Sequence, residues 1–267
     1  MKKTILITGA TDGIGYETAK SLVEIGHNVI VHGRNPAKVK QVSEQLMAIN
    51  STVNIEALIA DLSQQEAVNT MTTQLESRDG QIDIVINNAG IFTTSAPINE
   101  KGLDIRFMVN TLAPYQITKA LLPLMPSSGR VVNLSSAAQK SVNLDALKGT
   151  VRLGDNDAYA QSKLALTMWS HALGNAQGSH GPVIISVNPK SFLGSKMVNQ
   201  AYGIAGSDLS IGADILVRAA LSDEFATAQG RYYDNDIGAF SDAHPDTYQA
   251  SKVESLIEAM DHLLADQ

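Results

Sequence analysis

The chain has 267 residues, 44% hydrophobic and 18% charged, with a net charge of −7, a balance typical of soluble globular proteins. Its acidity and lack of any basic run argue against nucleic acid or an anionic membrane as partner, and the absence of cysteine excludes disulfides, thiolate chemistry and Cys-based zinc sites. No window has the apolar length needed to span a bilayer, and the apolar run after Lys2-Lys3 is too short for a secretory signal, so a cytoplasmic protein is expected.

Thr4–Thr8 reads as a buried parallel strand, β-branched and apolar. Gly9-Ala10-Thr11-Asp12-Gly13-Ile14-Gly15 follows and opens a helix to about Ile25. Glycines there let the backbone turn tightly and approach a pyrophosphate, which would sit on the free N–H groups of the helix start. No Gly-Lys-Ser/Thr follows, so this is not a nucleoside-triphosphate loop. The second strand, Asn28–His32, ends in Gly33-Arg34-Asn35, where an NAD-binding protein usually places an acid for the ribose hydroxyls. Arg34, with Lys38 one turn on, could grip a 2′-phosphate, which favours NADP(H) over NAD(H). Asp12 counts slightly against a phosphate-rich pocket.

A helix over Pro36–Ala48 leads to a strand over Val53–Ala60, ending in Asp61-Leu62. Asp61 could bond the adenine or cap the next helix, Ser63–Arg78. Strand Ile82–Ile86 ends in Asn87-Asn88-Ala89-Gly90, a turn of small residues that a cofactor could pass closely. Gly102–Met125 reads as one long helix carrying Asn110 and disturbed at Pro114. Strand Val131–Leu134 ends in Ser135-Ser136, and the helix of Tyr159 and Lys163 follows. Strand Val183–Val187 runs into Asn188-Pro189-Lys190, and residues 190–206 read as a substrate lid. A helix at Ile211–Leu221, a strand at Arg231–Tyr233 and a terminal helix Pro245–Ala265 complete the chain. Strands alternating with helices predict an α/β fold, a doubly wound parallel sheet of about seven strands with helices on both faces. No linker or repeat is visible, so residues 1–267 are expected to form a single domain.

Tyr159 and Lys163 stand four apart, on one helix face. A fixed cation beside a phenol favours the phenolate, and a phenol so tuned can pass a proton to or from a carbonyl or alcohol oxygen. Three other Tyr/Lys pairs have the same spacing: Tyr16/Lys20, Tyr115/Lys119 and Tyr248/Lys252. Spacing alone does not choose among them. The six histidines show no His-Glu-x-x-His pattern, and they read as surface or packing residues rather than a metal site.

Over essentially its whole length the chain resembles the short-chain dehydrogenase/reductase family, through Thr8-Gly9-Ala10-Thr11-Asp12-Gly13-Ile14-Gly15, Asp61-Leu62, Asn87-Asn88-Ala89-Gly90, Asn110, Ser135-Ser136, Tyr159-x-x-x-Lys163 and Asn188-Pro189. Gly33-Arg34-Asn35, Tyr159-Ala160-Gln161-Ser162-Lys163 and Gly230-Arg231-Tyr232-Tyr233 are similar to retinol dehydrogenase-like reductases. The resemblance implies a Rossmann-type fold and a catalytic order Asn110, Ser136, Tyr159, Lys163, which only the Tyr159 pair satisfies. Side-chain alternation at the strand end leaves Ser135 as the alternative serine. It also implies NADP(H) held by Gly9, Thr11, Asp12, Gly13, Ile14, Gly15, Arg34, Asn35, Asp61, Leu62, Asn88, Ala89, Gly90, Tyr159, Lys163 and Pro189. The family's glycine after that proline is Lys190 here, and Ser195 is the nearest hydroxyl to a threonine often found later.

The expected activity is hydride transfer between NADPH and a small to medium, apolar carbonyl or alcohol. Phe92, Leu144, Phe192, Leu193 and Met197, with Ile91 and Leu147, are candidates for the substrate wall. A catalytically silent NADP(H)-binding sensor or scaffold is the alternative, and an S-adenosylmethionine methyltransferase a weaker one. Pairing into a homodimer or homotetramer through the helices of Asn110 and Tyr159 is what the resemblance implies.

Overall fold

The computed structural model describes residues 1–265, and the last two residues of the expected domain, 266 and 267, lie outside the described residues. The elements in chain order are β1 Thr4–Ile7, α1 Gly13–Glu24, β2 Asn28–Gly33, α2 Pro36–Ile49, β3 Ile55–Ile59, α3 Gln65–Glu76, β4 Ile84–Asn87, α4 Ile105–Phe107, α5 Ala113–Leu121, β5 Arg130–Leu134, α6 Leu144–Leu147, α7 Asp155–Gln177, β6 Val183–Asn188, α8 Lys196–Tyr202, α9 Ser210–Leu221, β7 Tyr232–Asp234, β8 Ala239–Ser241 and α10 Ala250–Ala265. The strands lie side by side as β3-β2-β1-β4-β5-β6-β7-β8 in one eight-stranded sheet. All neighbours are parallel except β7 and β8. The expected seven strands therefore gain an eighth, a short antiparallel edge strand whose three residues are too few to show a sequence pattern.

The sheet forms because β4, β5 and β6 are β-branched runs buried at every residue, as a strand covered on both faces must be. Alternation divides the core. Ile5 and Ile7 pack with α1, α2 and α9, while Leu6 packs with α3 and α5 on the opposite face. The chain leaves β1 toward β3 on one side and returns to β4 on the other, so the switch point lies between β1 and β4. Ligands of such sheets bind in the crevice at the strands' carboxyl ends.

The helix expected at Gly102–Met125 divides into several pieces. Asp104 caps it, its Oδ1 accepting the Arg106 N–H at 2.9 Å. One wide π turn, Met108–Leu112, separates α4 from α5, which carries Pro114 in its first turn. Proline has no N–H and crowds the preceding turn, and the wider turn absorbs both defects. The terminal helix starts later than expected, at Ala250, after a separate 3-10 turn over Pro245–Tyr248. The helix after Asp61 likewise starts at Gln65 rather than Ser63. A third core cluster joins α5, α6, α7 and α10.

Candidate active site

A cleft of about 620 Å³ runs along the carboxyl ends of the strands, within the ordinary range of ligand pockets, roughly 300–1,000 Å³. All sixteen positions expected to hold a dinucleotide line it. At its centre is the glycine loop. A Cβ on Gly9 would lie 2.9 Å from Ala89 Cα, and one on Gly15 would lie 2.4 Å from Gly9 O. Only glycine fits at either place. Asn88 Nδ2 donates to the carbonyls of Thr8 and Gly9 at 2.9 and 3.1 Å, and the Ala89 N–H donates to Thr8 Oγ1 at 3.1 Å. The Asn-Asn-Ala-Gly turn is thus the buttress of the loop as well as part of the cleft wall.

His32, read from sequence as a packing residue, has a more specific place. It is 2% exposed and lines the cleft. Its Nδ1 accepts the Gly9 N–H at 3.1 Å, which leaves Nε2–H to donate to Ala60 O at 3.1 Å. The ring ties the ends of β2 and β3 to the glycine loop. Burial pushes its pKa down to about 4, against the opposing effect of the hydrogen bond it donates to Ala60 O, so the ring is neutral. Its position at the buried end of β2, just before Gly33, was the available signal.

Toward the β2 end, Arg34, Asn35 and Lys38 are exposed along the rim. Asn35 caps α2, its Oδ1 accepting the Lys38 N–H at 3.1 Å. Asp61 accepts from the N–H and Oγ of Ser63 at 3.0 and 2.8 Å, forming a tight turn before α3, and buried Leu62 completes that wall. The start of α1 leaves N–H groups without intrahelical acceptors. Two cations at one end of the cleft, free helix-start donors at its centre and a hydroxyl–ammonium pair at the other end suit a phosphorylated dinucleotide.

At the β5–β6 end stand Tyr159 and Lys163, one turn apart on α7. Lys163 is 4% exposed, and its Nζ donates to Leu134 O at 2.7 Å. Burial pushes its pKa down to about 8. The ammonium lies 5.8 Å from the centroid of the Tyr159 ring, whose position Phe92 supports with ring centroids 4.6 Å apart. A Cβ on Gly90 would lie 3.4 Å from Asn110 Oδ1 and 3.5 Å from Lys163 Nζ, so both polar atoms converge on the same backbone.

Asn110 lies on the π turn, buried behind the cleft wall. Its Oδ1 accepts the Ile91 N–H, and its Nδ2 donates to Ile91 O and Ser162 Oγ, each at 2.9 Å. Ser162 Oγ in turn donates to Tyr159 O at 2.7 Å. Asn110 therefore connects the turn after β4 to the helical turn that carries Tyr159. Of the two serines, Ser135 is in the cleft wall, but its Oγ is buried at 2.6 Å from Thr167 Oγ1. Ser136 is half-buried beyond that wall, its Oγ accepting the Ala138 N–H at 3.1 Å.

The other Tyr/Lys pairs have different surroundings. Tyr115 OH and Lys119 Nζ both donate to Asp261 of α10, at 3.0 and 2.8 Å. Lys252 pairs with Asp246 at 2.6 Å, and Lys20 faces Glu17. Only Lys163, among these four lysines, is held in the cleft by a backbone carbonyl.

Among the substrate candidates, Phe92, Phe192, Leu193 and Met197 line the cleft with Ile91. Leu144 is placed elsewhere: with buried Leu147 it packs into the third core cluster, against the face of α7 away from the cleft. Leu193 is 2% exposed, whereas Phe192 is 53% exposed. Lys190 and Phe192 have φ of 120° and 53°, so Lys190 keeps a backbone conformation that favours glycine.

A doubly wound sheet with this loop and this Tyr–Lys pair at its switch-point cleft defines a dinucleotide-dependent oxidoreductase. A family model described as short chain dehydrogenase matches residues 3–202, and the chain belongs to that family. It is 30% identical to a human polyprenol dehydrogenase over 254 residues, 88% of this chain and 77% of that protein. It is 26% identical to human retinol dehydrogenase 13, covering 87% of this chain and 76% of that one. Among solved structures, landomycin C-6 ketoreductase LanV with bound NADP and rabelomycin superposes with a TM-score of 0.70 and 27% identity, covering 87% of this chain and 94% of that one.

Proposed function

We propose that the protein is an NADP(H)-dependent oxidoreductase acting on an apolar carbonyl or alcohol of small to medium size, with the whole chain working as one domain. The observation that carries this reading is the buried Lys163 ammonium held on Leu134 O beside Tyr159. The NADP bound to LanV and the exposed Arg34 and Lys38 at the cleft rim support the cofactor choice. When bound, the nicotinamide supplies or accepts the hydride.

In the reduction direction the Tyr159 hydroxyl gives its proton to the carbonyl oxygen, and Lys163 stabilises the resulting phenolate through its charge. Following the family order, the hydrogen bond to the same oxygen is assigned to Ser136, one residue past the cleft-lining Ser135. Its O–H is left to donate, while the Ser135 hydroxyl is committed to Thr167. Asn110 acts by holding the Tyr159 turn and the Gly90-Ile91 backbone in register, beside Lys163. Phe92, Phe192, Leu193 and Met197 supply the apolar wall. Lys190, which stands where the family has glycine, keeps the glycine-type backbone conformation, and this favours the enzyme over a silent sensor.

Pairing through the helices of Asn110 and Tyr159 is not favoured. α10 packs on α7 and is tied to α5 through Asp261, so the chain covers this face with its own terminal helix. The test of the functional reading is Tyr159→Phe, which should abolish turnover and leave NADPH binding intact. Near-normal turnover in that variant would overturn the reading.

A further inference from the structure

The glycine loop carries an acid where a diphosphate is expected, and its counter-charge comes from the lid. Asp12 Oδ1 accepts the Gly13 N–H at 2.9 Å at the start of α1. Its Oδ2 accepts from the ammonium of Lys196, the first residue of α8, on the opposite wall of the cleft. Burial alone would push the Asp12 carboxyl up; the hydrogen bonds from Lys196 and Gly13 outweigh it and hold the carboxyl below the ordinary range. The two side chains are 51% and 71% exposed, and an exposed pair of this kind contributes only about 0–1 kcal/mol. That is too little to fix a wall of the protein. It is of the right size for a contact that exchanges partners.

The segment bearing Lys196 stands on a tied base. The Gly194 N–H donates to Ser207 O at 2.6 Å, and the Ser207 N–H to Phe192 O at 2.9 Å. A Cβ on Gly206 would come within 2.7 Å of Gly194 Cα, so the two arms touch backbone to backbone. Leu193 at the base is wedged against Gly212 of α9. Beyond that base, Lys196 reaches the glycine loop, and Met197 reaches Gly90, its Cε 3.8 Å from where a Cβ would stand. Two adjacent lid residues therefore meet the glycine loop at the cleft's centre and the Gly90 backbone beside Lys163 at its Tyr159–Lys163 end.

Resting on the dinucleotide reading above, we propose that Lys196 is a cofactor-phosphate residue carried by the lid, and that Asp12 holds its ammonium in place until a diphosphate takes it over. Asp12 and Lys196 are neutral as a pair, so the loop presents its helix-start donors without a net repulsive charge. A diphosphate entering the loop adds negative charge beside Lys196 and strengthens the hold on α8, which keeps Met197 over the substrate end.

The proposal makes the two partners of one ion pair act with opposite sign, which a purely structural ion pair does not. Equilibrium NADPH binding, read by nucleotide fluorescence without substrate, should weaken about tenfold in Lys196→Gln, the loss of roughly one charge-assisted hydrogen bond. Asp12→Asn keeps the helix cap and removes the anion beside the phosphates, so it should bind NADPH more tightly than wild type. Lys196→Arg should stay near wild type. NADPH should protect residues 195–206 from limited proteolysis in the wild type and fail to do so in Lys196→Gln. Equal weakening in Asp12→Asn and Lys196→Gln would reduce the pair to a structural tie and overturn the proposal, as would wild-type affinity in Lys196→Gln. Failure of the wild type to bind NADPH would overturn the functional reading itself, and this inference with it.

Discussion

Replacing Lys190 by glycine should make the protein more stable, although the position lies in the cleft. Lys190 has φ of 120°, and Phe192, two residues on, has φ of 53°. A non-glycine residue in such a region costs about 1–3 kcal/mol. The conformation is held from the β7–β8 turn. Asp236 accepts the Ser191 N–H at 2.9 Å, Ser191 Oγ at 2.6 Å and Asn188 Nδ2 at 2.9 Å, and Asn235 Nδ2 donates to Pro189 O at 3.0 Å. Glycine removes the strain but adds roughly 0.5–1 kcal/mol of backbone entropy cost, which leaves a net gain of about 1 kcal/mol. For a chain of this size that raises Tm by about 2–4 °C. Thermal unfolding followed by circular dichroism, without nucleotide, reads it. Lys190→Ala is the control, since it removes the ammonium but keeps the Cβ, and it should gain nothing. A Lys190→Gly protein no more stable than Lys190→Ala would refute the strain argument and leave charge as the reason for the lysine.

Three further outcomes follow from the same geometry. Arg34→Ala should weaken NADPH binding by about 10- to 100-fold, the worth of a charge-assisted contact to a 2′-phosphate, and leave NADH binding unchanged; equal effects on both would remove Arg34 from cofactor choice. Arg106 is 1% exposed and bonds Asp104 at 2.8 and 2.6 Å, besides reaching Asp155 at the start of α7. Arg106→Ala strands the buried Asp104 carboxylate and should cost about 3–5 kcal/mol in urea unfolding, whereas Asp155→Asn, at a half-exposed acid, should cost less than about 1 kcal/mol. His32 has its pKa lowered from 6.5 to about 4 by burial. Between those values the unfolded chain binds more protons, so stability falls as pH drops through this window; His32→Gln should flatten that slope, and an unchanged slope would assign it to the carboxylates.

The strands were legible because burial on both faces forces runs such as Val131-Val132 and Ile184-Ile185 that no surface element tolerates. The glycine loop was legible because Gly9 and Gly15 stand where a Cβ has no room. Choosing among the Tyr/Lys pairs needed the family order. The distinguishing contacts involve partners remote in sequence: Asp261 for Tyr115 and Lys119, Leu134 O for Lys163. The same distance hid the Asp12–Lys196 contact and the cover that α10 gives α5 and α7. Leu144 and Leu147 share a face of the short helix α6, and an apolar face alone does not reveal which neighbour it meets. The π turn at Asn110 left only Pro114 as its trace, because backbone hydrogen-bond shifts carry little residue preference.

The central claim, that Tyr159 beside Lys163 passes the proton in an NADPH-dependent carbonyl reduction, is tested most directly by one paired measurement. Loss of reduced-nicotinamide absorbance is followed across a panel of aldehydes, ketones and quinones for the wild type and Tyr159→Phe, with NADPH binding measured on both. The expected result is turnover by the wild type, at least a hundredfold less in the variant by the usual worth of proton transfer, roughly 10²–10⁴, and equal NADPH affinity. Comparable turnover in both proteins would contradict it, and so would a wild type that binds NADPH tightly yet reduces nothing across the panel.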